Sequence, residues 1–206
     1  MRRQAGSGIF VFMDEMRDRL IDAAYDLFAE VGPSRASLGA IAERVGAEEA
    51  AIRALFVDRR GLLAAVLDER TTPLIGAASV LMSEHEDFRQ LLPRMLRLIH
   101  QFLVDEPRYA RIIAWTALEG GELLGAVFAR SFFPSDFHDR LLEAIDRGEL
   151  RVRSAMTAIM LLDSLLMFPQ FVRSALSAGL PAEVDMETLF DDYFADVLRL
   201  LEGGVY

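Results

Sequence analysis

The chain has 206 residues, with 22 basic and 32 acidic side chains and a net charge of −10. This length suits one large core or two small ones that share a helix. All 22 basic residues are arginine and no cysteine occurs. Lysine Schiff bases, a phosphate-loop lysine, disulfides, thiolate nucleophiles and zinc–thiolate sites are therefore excluded. The lack of cysteine fits a reducing compartment, and we expect a cytoplasmic location.

Two apolar stretches bear on membrane association. The longest, residues 155–168, is interrupted by Asp163 and closed by Pro169, which makes it too short to span a bilayer. Residues 9–13 form a second patch of five residues. This patch is shorter than the roughly 7–15 apolar residues that an export signal needs. We therefore expect no membrane partner and interpret residues 1–12 as a disordered arm.

Apolar residues recur three and four positions apart along the chain, which is typical of amphipathic helices. No segment shows the sustained alternation of a half-buried strand, so we predict an all-α fold with short connections. Gly32 and Gly46 are predicted to end the first two helices, and Asp58 to precede a long one. The predicted helices cover residues 16–31, 38–45, 49–55, 59–71 and onward, 86–104, 107–118, 120–147 with a break near Pro134, 153–177 and 186–202.

Residues 38–55 contain two short predicted helices joined at Gly46, the arrangement of a helix-turn-helix. In that motif the second helix enters the major groove of DNA. Ser37 is suited to cap the first helix, because its hydroxyl can accept a hydrogen bond from a free backbone amide. The pattern alone is a weak signal, since most short helix pairs of this kind are ordinary core packing.

A specific array of residues surrounds this motif. It consists of Arg19, Ile21, Ala23, Ala24, Leu27, Phe28, Glu30, Gly32, Ser37, Ile41, Ala42, Val45, Gly46, Ile52, Phe56, Arg59, Leu62 and Leu63. With this array, residues 17–66 resemble the TetR family of bacterial one-component transcriptional regulators, and the rest of the chain is similar in architecture only. The resemblance implies an N-terminal three-helix helix-turn-helix domain over residues 13–60. It implies a larger helical ligand-binding and dimerisation domain over residues 61–206.

The start of the second helix departs from the family pattern, which usually has hydroxyl, basic and tyrosine residues there. This chain has Glu48, Glu49, Ala51 and Leu55 instead, and acidic residues beside a polyanion lower affinity. Residues 1–66 nevertheless carry nine arginines and ten acidic residues, against thirteen and 22 in the remainder. The N-terminal part is thus the less acidic one, which is the right sign for a DNA-facing end.

The candidate DNA-binding residues are Arg35, Ser37, Glu48, Ala51, Arg53, Arg59 and Arg60. Arg53 is expected on the exposed side of the second helix, where it contacts either a phosphate or a guanine edge. Arg59 and Arg60 are expected at the start of the long helix, where they bind phosphate. The alternative is that both pair with Asp58 or Glu48.

Residues 80–177 are rich in phenylalanine and methionine, which is most often plain core but also suits an apolar ligand cavity. The candidate ligand-binding residues are Met95, His100, Phe102, Trp115, Phe128, Met160 and Phe168.

The last two predicted helices carry more apolar area than a small domain needs at its periphery, which favours a four-helix interface with a second copy. The candidate interface residues are Ile159, Leu162, Leu166, Leu189, Phe194 and Val197.

The sequence offers no catalytic constellation. The three histidines are isolated, adjacent acidic pairs point about 100° apart on a helix, and no nucleophile elbow or phosphate loop occurs. We expect no enzyme, no cofactor and no metal. The leading hypothesis is a ligand-responsive dimeric repressor that binds palindromic operator double-stranded DNA and a small apolar effector. The alternative is a TetR-like ligand-binding or protein-interaction module with weak or lost DNA binding.

Overall fold

The computed structural model describes residues 5–84, 87–119, 136–150, 152–181 and 183–202. In these ranges the regular structure is helical and strands are absent, which confirms the predicted all-α fold. The helices are α1 (Ala5–Val31), α2 (Leu38–Arg44), α3 (Glu49–Phe56), α4 (Arg59–Ser83), α5 (Phe88–Asp105), α6 (Pro107–Glu119), α7 (Phe137–Asp146), α8 (Ala155–Gly179) and α9 (Met186–Glu202). The predicted break near Pro134 lies outside the described residues.

The N-terminal helix is longer than the sequence predicts. α1 begins at Ala5, so the backbone of residues 5–12, which we interpreted as part of a disordered arm, is helical. No proline interrupts this stretch. Extending an existing helix adds one hydrogen bond for each residue that is fixed, whereas starting a new one is costly. The arm therefore continues the helix that the apolar stripe of residues 16–31 establishes.

The chain forms two compact units. Among the described residues, the first unit contains residues 5–71 and 111–119, and the second contains residues 72–110 and 136–202. The predicted boundary between residues 60 and 61 falls inside α4, and α4 and α6 each contribute residues to both units.

The core of the first unit lies between α1, α2, α3 and the first half of α4. Its fully buried side chains include Leu20, Ile21, Phe28, Ile41, Ile52, Leu62, Leu63 and Leu67. α2 and α3 have seven and eight residues, too short to be stable as isolated helices. Burial of Ile41 and Ile52 in this core therefore holds the helix-turn-helix together.

In the second unit, α5 contacts α7, α8 and α9, and α8 also contacts α7 and α9. One face of α5 is buried at Leu91, Leu92, Met95, Leu96, Ile99 and Leu103. The rings of Phe88 and Phe137 lie 5.6 Å apart. The core of this unit is thus built mainly on α5.

α8 runs through Pro169, where the sequence predicts that the apolar stretch closes. Ala155–Arg173 therefore forms 19 helical residues of mean hydropathy 1.6, long and apolar enough to cross a membrane by length and composition alone. The expectation that this stretch is too short is thus wrong. One such helix is weak evidence for a membrane span, since core helices of soluble proteins have the same length and composition.

Candidate nucleic-acid interface

The turn between α2 and α3 is fixed by a glycine and two backbone hydrogen bonds. Gly46 has a φ of 68°, in the left-handed region that favours glycine. Its amide donates to the carbonyl of Glu43 at 3.1 Å, and the amide of Ala47 donates to the carbonyl of Ala42 at 2.9 Å. This pair of bonds is the Schellman motif, which ends a helix sharply. The predicted helix-turn-helix is thus confirmed as a geometric unit.

α3 has a buried and an exposed face. Ile52 and Phe56 are buried against the unit, whereas Ala50, Arg53 and Ala54 are exposed. Small outward side chains allow a helix to approach the floor of a groove closely, and alanine can contact a thymine methyl group. Of these three exposed residues, Arg53 is the one with a long side chain that can donate hydrogen bonds.

Arg53 is ion-paired within α3. Its Nε and Nη2 atoms donate to Oε1 of Glu49 at 3.1 Å and 2.6 Å. The side chains of Arg53 and Glu49 are 59% and 43% exposed, so the pair faces solvent. Exposed pairs of this spacing stabilise a helix by about 0.3–0.5 kcal/mol, and another acceptor can replace Glu49 at little cost. This pair was not predicted, although the i, i+4 spacing of Glu49 and Arg53 is a signal for it.

Ser37 and Arg59 have structural roles at the edges of the motif. The Ser37 hydroxyl accepts a hydrogen bond from the amide of Ala40 at 3.1 Å, as its predicted capping role requires. The guanidinium of Arg59 donates to the carbonyl of Pro33 at 3.3 Å and also to that of Ser34. Arg59 thus ties the α1–α2 connection to the start of α4, an arrangement that neither the phosphate hypothesis nor pairing with Asp58 or Glu48 anticipates.

The other predicted DNA-binding residues occupy varied positions. Glu48 is exposed and precedes α3 without forming a side-chain cap, and Ala51 is half-buried. Arg60 is exposed in the first turn of α4. Arg35 is exposed, with its guanidinium carbon 5.7 Å from the centre of the Trp115 ring. That these residues contact DNA stays a prediction.

Further arginines of the first unit have partners within the chain. Arg17 donates to Glu69 at 3.1 Å, Arg19 to the carbonyl of Val45 at 2.6 Å, and Arg44 to both carboxylate oxygens of Glu30 at 3.1 Å and 2.6 Å. Arg70 pairs with Asp22 and lies 4.5 Å from the centre of the Tyr25 ring. The guanidinium of Arg44 also lowers the pKa of the Glu30 carboxyl through these hydrogen bonds. Much of the positive charge of this unit is therefore neutralised locally.

The C-terminal end of α6 contributes to the first unit at the Gly32 turn. Glu119 accepts a hydrogen bond from the amide of Ser34 at 3.1 Å. A Cβ atom at Gly32 would lie 2.6 Å from Oε1 of Glu119 and 3.3 Å from the Trp115 ring. Trp115 thus lies against the α1–α2 connection, and no sequence signal indicated Glu119.

The predicted ligand-binding residues do not share one surface. Met95 is buried in the core, and the rings of Phe102 and Tyr109 meet edge to face at 5.1 Å. Met160 and Phe168 are 63% and 60% exposed. Trp115 belongs to the first unit, and Phe128 lies outside the described residues.

The surface of the second unit has an open groove of about 540 Å³ that none of the predicted ligand residues lines. Its lining consists of Ala77, Val80, Leu81, Arg94, Arg97 and Leu98. Arg94 also pairs with Glu84 at 2.6 Å. In the described part of the chain, no three His, Asp or Glu side chains are grouped to hold a metal ion.

Most predicted dimer-interface residues are in the core of the second unit. Leu162, Leu166, Phe194 and Val197 are each no more than 8% exposed, while Ile159 is half-buried and Leu189 is 37% exposed. The periodicity of α8 and α9 reveals their apolar faces but does not distinguish the face that packs inside the chain from a second one. The exposed apolar side chains of α8 are Met156, Met160, Leu161, Phe168 and Phe171.

Burial shifts the pKa of an aspartate and of a histidine in the second unit. Burial raises the pKa of the Asp163 carboxyl on α8 to about 6. Burial lowers the pKa of His100, whose ring stacks on Phe194 at 4.0 Å. His100 is thus half-buried and packed against a ring, and that it orients a ligand stays a prediction.

Comparisons with known proteins agree with this geometry. Residues 20–66 match the family described as bacterial regulatory proteins, tetR family. The nucleoid occlusion factor SlmA of Marinobacter nauticus is 25% identical over 166 residues, which cover 77% of this chain and 85% of that protein. The HTH-type transcriptional regulator SrpR of Pseudomonas putida is 28% identical over 141 residues, 68% of this chain and 65% of that protein.

Solved structures share the fold at low sequence identity. The transcriptional regulator FadR from Bacillus subtilis, in complex with stearoyl-CoA, has a TM-score of 0.69 at 17% identity over 91% of this chain and 98% of that chain. In its described residues, the chain combines an N-terminal helix-turn-helix with a larger helical unit, the arrangement of a class of DNA-binding regulators. The match of residues 20–66 to the tetR family model confirms the resemblance of this part of the chain to that family.

Proposed function

We propose that the chain is a cytoplasmic, dimeric repressor that binds a palindromic operator through α3 and releases it when a small apolar effector binds the second unit. The observation that carries the proposal is the exposed face of α3. It presents Arg53 beside the small side chains of Ala50 and Ala54, while the opposite face is buried. Such a face fits the major groove, where arginine is the commonest donor to guanine.

A palindromic operator requires two copies of α3, and the exposed face of α8 supports a dimer. Met160 follows Met156 by four residues and Phe168 follows Met160 by eight, and each of the three is at least 60% exposed. Contiguous exposed apolar patches mark interaction sites on soluble proteins. A second copy is the occupant that DNA binding needs, since dimers bind half-sites about one helical turn, or a multiple of it, apart. We therefore assign the interface to this face of α8.

The effector would act by population shift. A ligand releases DNA only if it binds the DNA-incompetent arrangement more tightly, and a coupling of about 1–3 kcal/mol changes operator affinity roughly 5–150-fold. The apolar, methionine-rich second unit and the stearoyl-CoA complex of the FadR relative support an effector with an apolar chain. Thermal denaturation with straight-chain fatty acids and their CoA esters tests this step, because ligand at about 100 times its Kd adds ~2.7 kcal/mol of stability.

The neutralised arginines favour a second candidate function. Arg44 and Arg53 are both paired with carboxylates, and phosphate neutralisation supplies most non-specific affinity for DNA. A TetR-like protein that binds a ligand or another protein, with weak or lost DNA binding, is consistent with that pairing.

Selection of duplexes from a random library, with purified protein at about 50 and 200 mM salt, separates the two functions. The leading proposal expects enrichment of a two-fold symmetric site, and loss of that enrichment in Arg53→Ala. The matched control is Arg89→Ala, which removes an exposed arginine of the second unit. If wild-type protein enriches no sequence at either salt concentration, the second candidate replaces the first.

A further inference from the structure

We propose that Glu49 is a specificity-determining residue, which positions Arg53 to bind guanine while its charge lowers the affinity of α3 for DNA of every sequence. This inference rests on the proposed operator binding and specifies how α3 discriminates between bases.

The geometry leaves Arg53 able to bind Glu49 and a base together. Two N–H groups of Arg53, on Nε and Nη2, point to Oε1 of Glu49. A guanidinium has five N–H groups, so three are left, two of them on Nη1. The Nη1 and Nη2 end of the group is a fork that matches O6 and N7 of guanine. Glu49 therefore occupies one edge of the guanidinium and leaves its end for a base.

The position of Glu49 is itself restricted. Its other oxygen, Oε2, lies 3.4 Å from where a Cβ atom of Gly39 would be, so the carboxylate lies close to α2. Glu49 is half-buried, and it precedes Arg53 by one helical turn, the favoured order for such a pair. The carboxylate that pairs with Arg53 thus lies beside α2 as well as on α3.

The charge and the positioning act on different kinds of DNA. A carboxylate near phosphates opposes binding to every duplex, because it reduces the number of counterions that binding releases. Positioning of Arg53 helps only where a guanine is present to accept its fork. An arginine that is already ordered loses less side-chain freedom on binding, an effect that corresponds to about two- to tenfold in affinity. The net result is a higher ratio of specific to non-specific binding.

Three variants separate the effects. Glu49→Ala removes both the acceptor and the charge, whereas Glu49→Gln keeps an oxygen acceptor and removes the charge. Glu43→Gln removes the charge of an exposed residue on α2 and leaves the Arg53 pair intact. Each protein is titrated by anisotropy against a random duplex, the selected operator, and an operator whose Arg53-dependent G·C pair is replaced by A·T. The Arg53-dependent pair is the G·C pair whose replacement by A·T weakens operator binding by the wild-type protein but not by Arg53→Ala.

We expect all three variants to bind random duplex more tightly than wild type. Discrimination against the A·T operator should fall about two- to tenfold in Glu49→Ala, be largely retained in Glu49→Gln, and be unchanged in Glu43→Gln. Wild-type discrimination in Glu49→Ala would overturn the inference while the proposed function stands. A wild-type protein that enriches no operator would overturn both. Melting temperatures of the variants exclude loss of α3 as the cause.

Discussion

The hydroxyl of Tyr193 on α9 donates to the carbonyl of Leu165 on α8 at 3.0 Å. In an uninterrupted helix this carbonyl would accept from the amide of residue 169, but residue 169 is a proline and has no N–H. The tyrosine therefore replaces the hydrogen bond that the proline removes, and it joins α9 to α8 at the same point. Burial also raises the pKa of this hydroxyl, which keeps it protonated as a donor.

Tyr193→Phe should lower the free energy of unfolding by about 1 kcal/mol, because it leaves a carbonyl without its partner. In a Pro169→Ala background the helix can supply an amide to Leu165, so the same substitution should cost less. A double-mutant cycle by urea denaturation measures the difference. Equal costs in the two backgrounds would show that Tyr193 does not compensate for the proline.

Substitution of Gly61, next to the turn between α3 and α4, should have a large effect on stability. A Cβ atom at Gly61 would lie 2.1 Å from the carbonyl oxygen of Phe56, which is backbone and cannot move aside cheaply. Gly61→Ala should therefore lower the melting temperature and weaken DNA binding. Gly76→Ala is the matched control in the same helix, because no atom lies within 4 Å of its Cβ position. It should stabilise the protein by about 0.5–1 kcal/mol, and an equal effect of both substitutions would contradict the close approach.

Substitution by glutamate should have different outcomes on the exposed and on the buried apolar face of α8. Phe168→Glu should give a folded monomer in sedimentation velocity, because Phe168 is 60% exposed within one chain. Leu166→Glu should unfold the second unit instead, since Leu166 is 4% exposed and a buried charge costs several kcal/mol. Far-UV circular dichroism distinguishes the two. A folded dimer of Phe168→Glu would place the interface elsewhere.

Periodicity and glycine positions were sufficient to predict most of the described helices and the turn at Gly46, but not the start of α1 at Ala5. They could not show which side of a helix is buried in the core. Leu166 and Phe168 belong to the same apolar helix, and only packing decides which of them points inward. Trp115 shows a second limit, since α6 contributes to both units and its sequence does not reveal which of them receives the indole. Trp115 fluorescence is therefore expected to report on the Gly32 turn.

The candidate DNA interface was predictable as a set of positions but not as a set of partners. Arg59 matched the family array, yet its carbonyl acceptors at Pro33 and Ser34 are about 25 residues away in sequence and depend on the closed fold. Arg59→Ala should therefore lower the melting temperature, by about 4–8 °C for each kcal/mol lost if the first unit unfolds independently as a small domain. Arg89→Ala, at an exposed arginine of α5, is the comparison. An unchanged melting temperature in Arg59→Ala would mean that these hydrogen bonds do not stabilise the motif.

The raised pKa of Asp163 predicts how stability changes with pH. Its folded-state pKa of about 6 exceeds the ordinary value of 3.8, so the folded state holds a proton that the unfolded state releases between these two pH values. Stability contributed by Asp163 is therefore full below about pH 4, falls as pH rises, and is lost above about pH 6. A shift of about two pKa units corresponds to roughly 3 kcal/mol, an upper figure because the group is incompletely buried.

Asp163→Asn should consequently increase the free energy of unfolding at pH 7 and have little effect near pH 4. The lowered pKa of His100 acts in the opposite direction, since acid charges the unfolded state more readily, but it contributes equally to both proteins and cancels from their difference. Urea denaturation of the two proteins at pH 4 to 8 gives that difference directly. Ser164→Ala, an exposed neighbour on α8 without an ionisable side chain, serves as the control, and its difference from wild type should not change with pH. If Asp163→Asn also gives a flat difference, the Asp163 carboxyl is solvated in the folded protein.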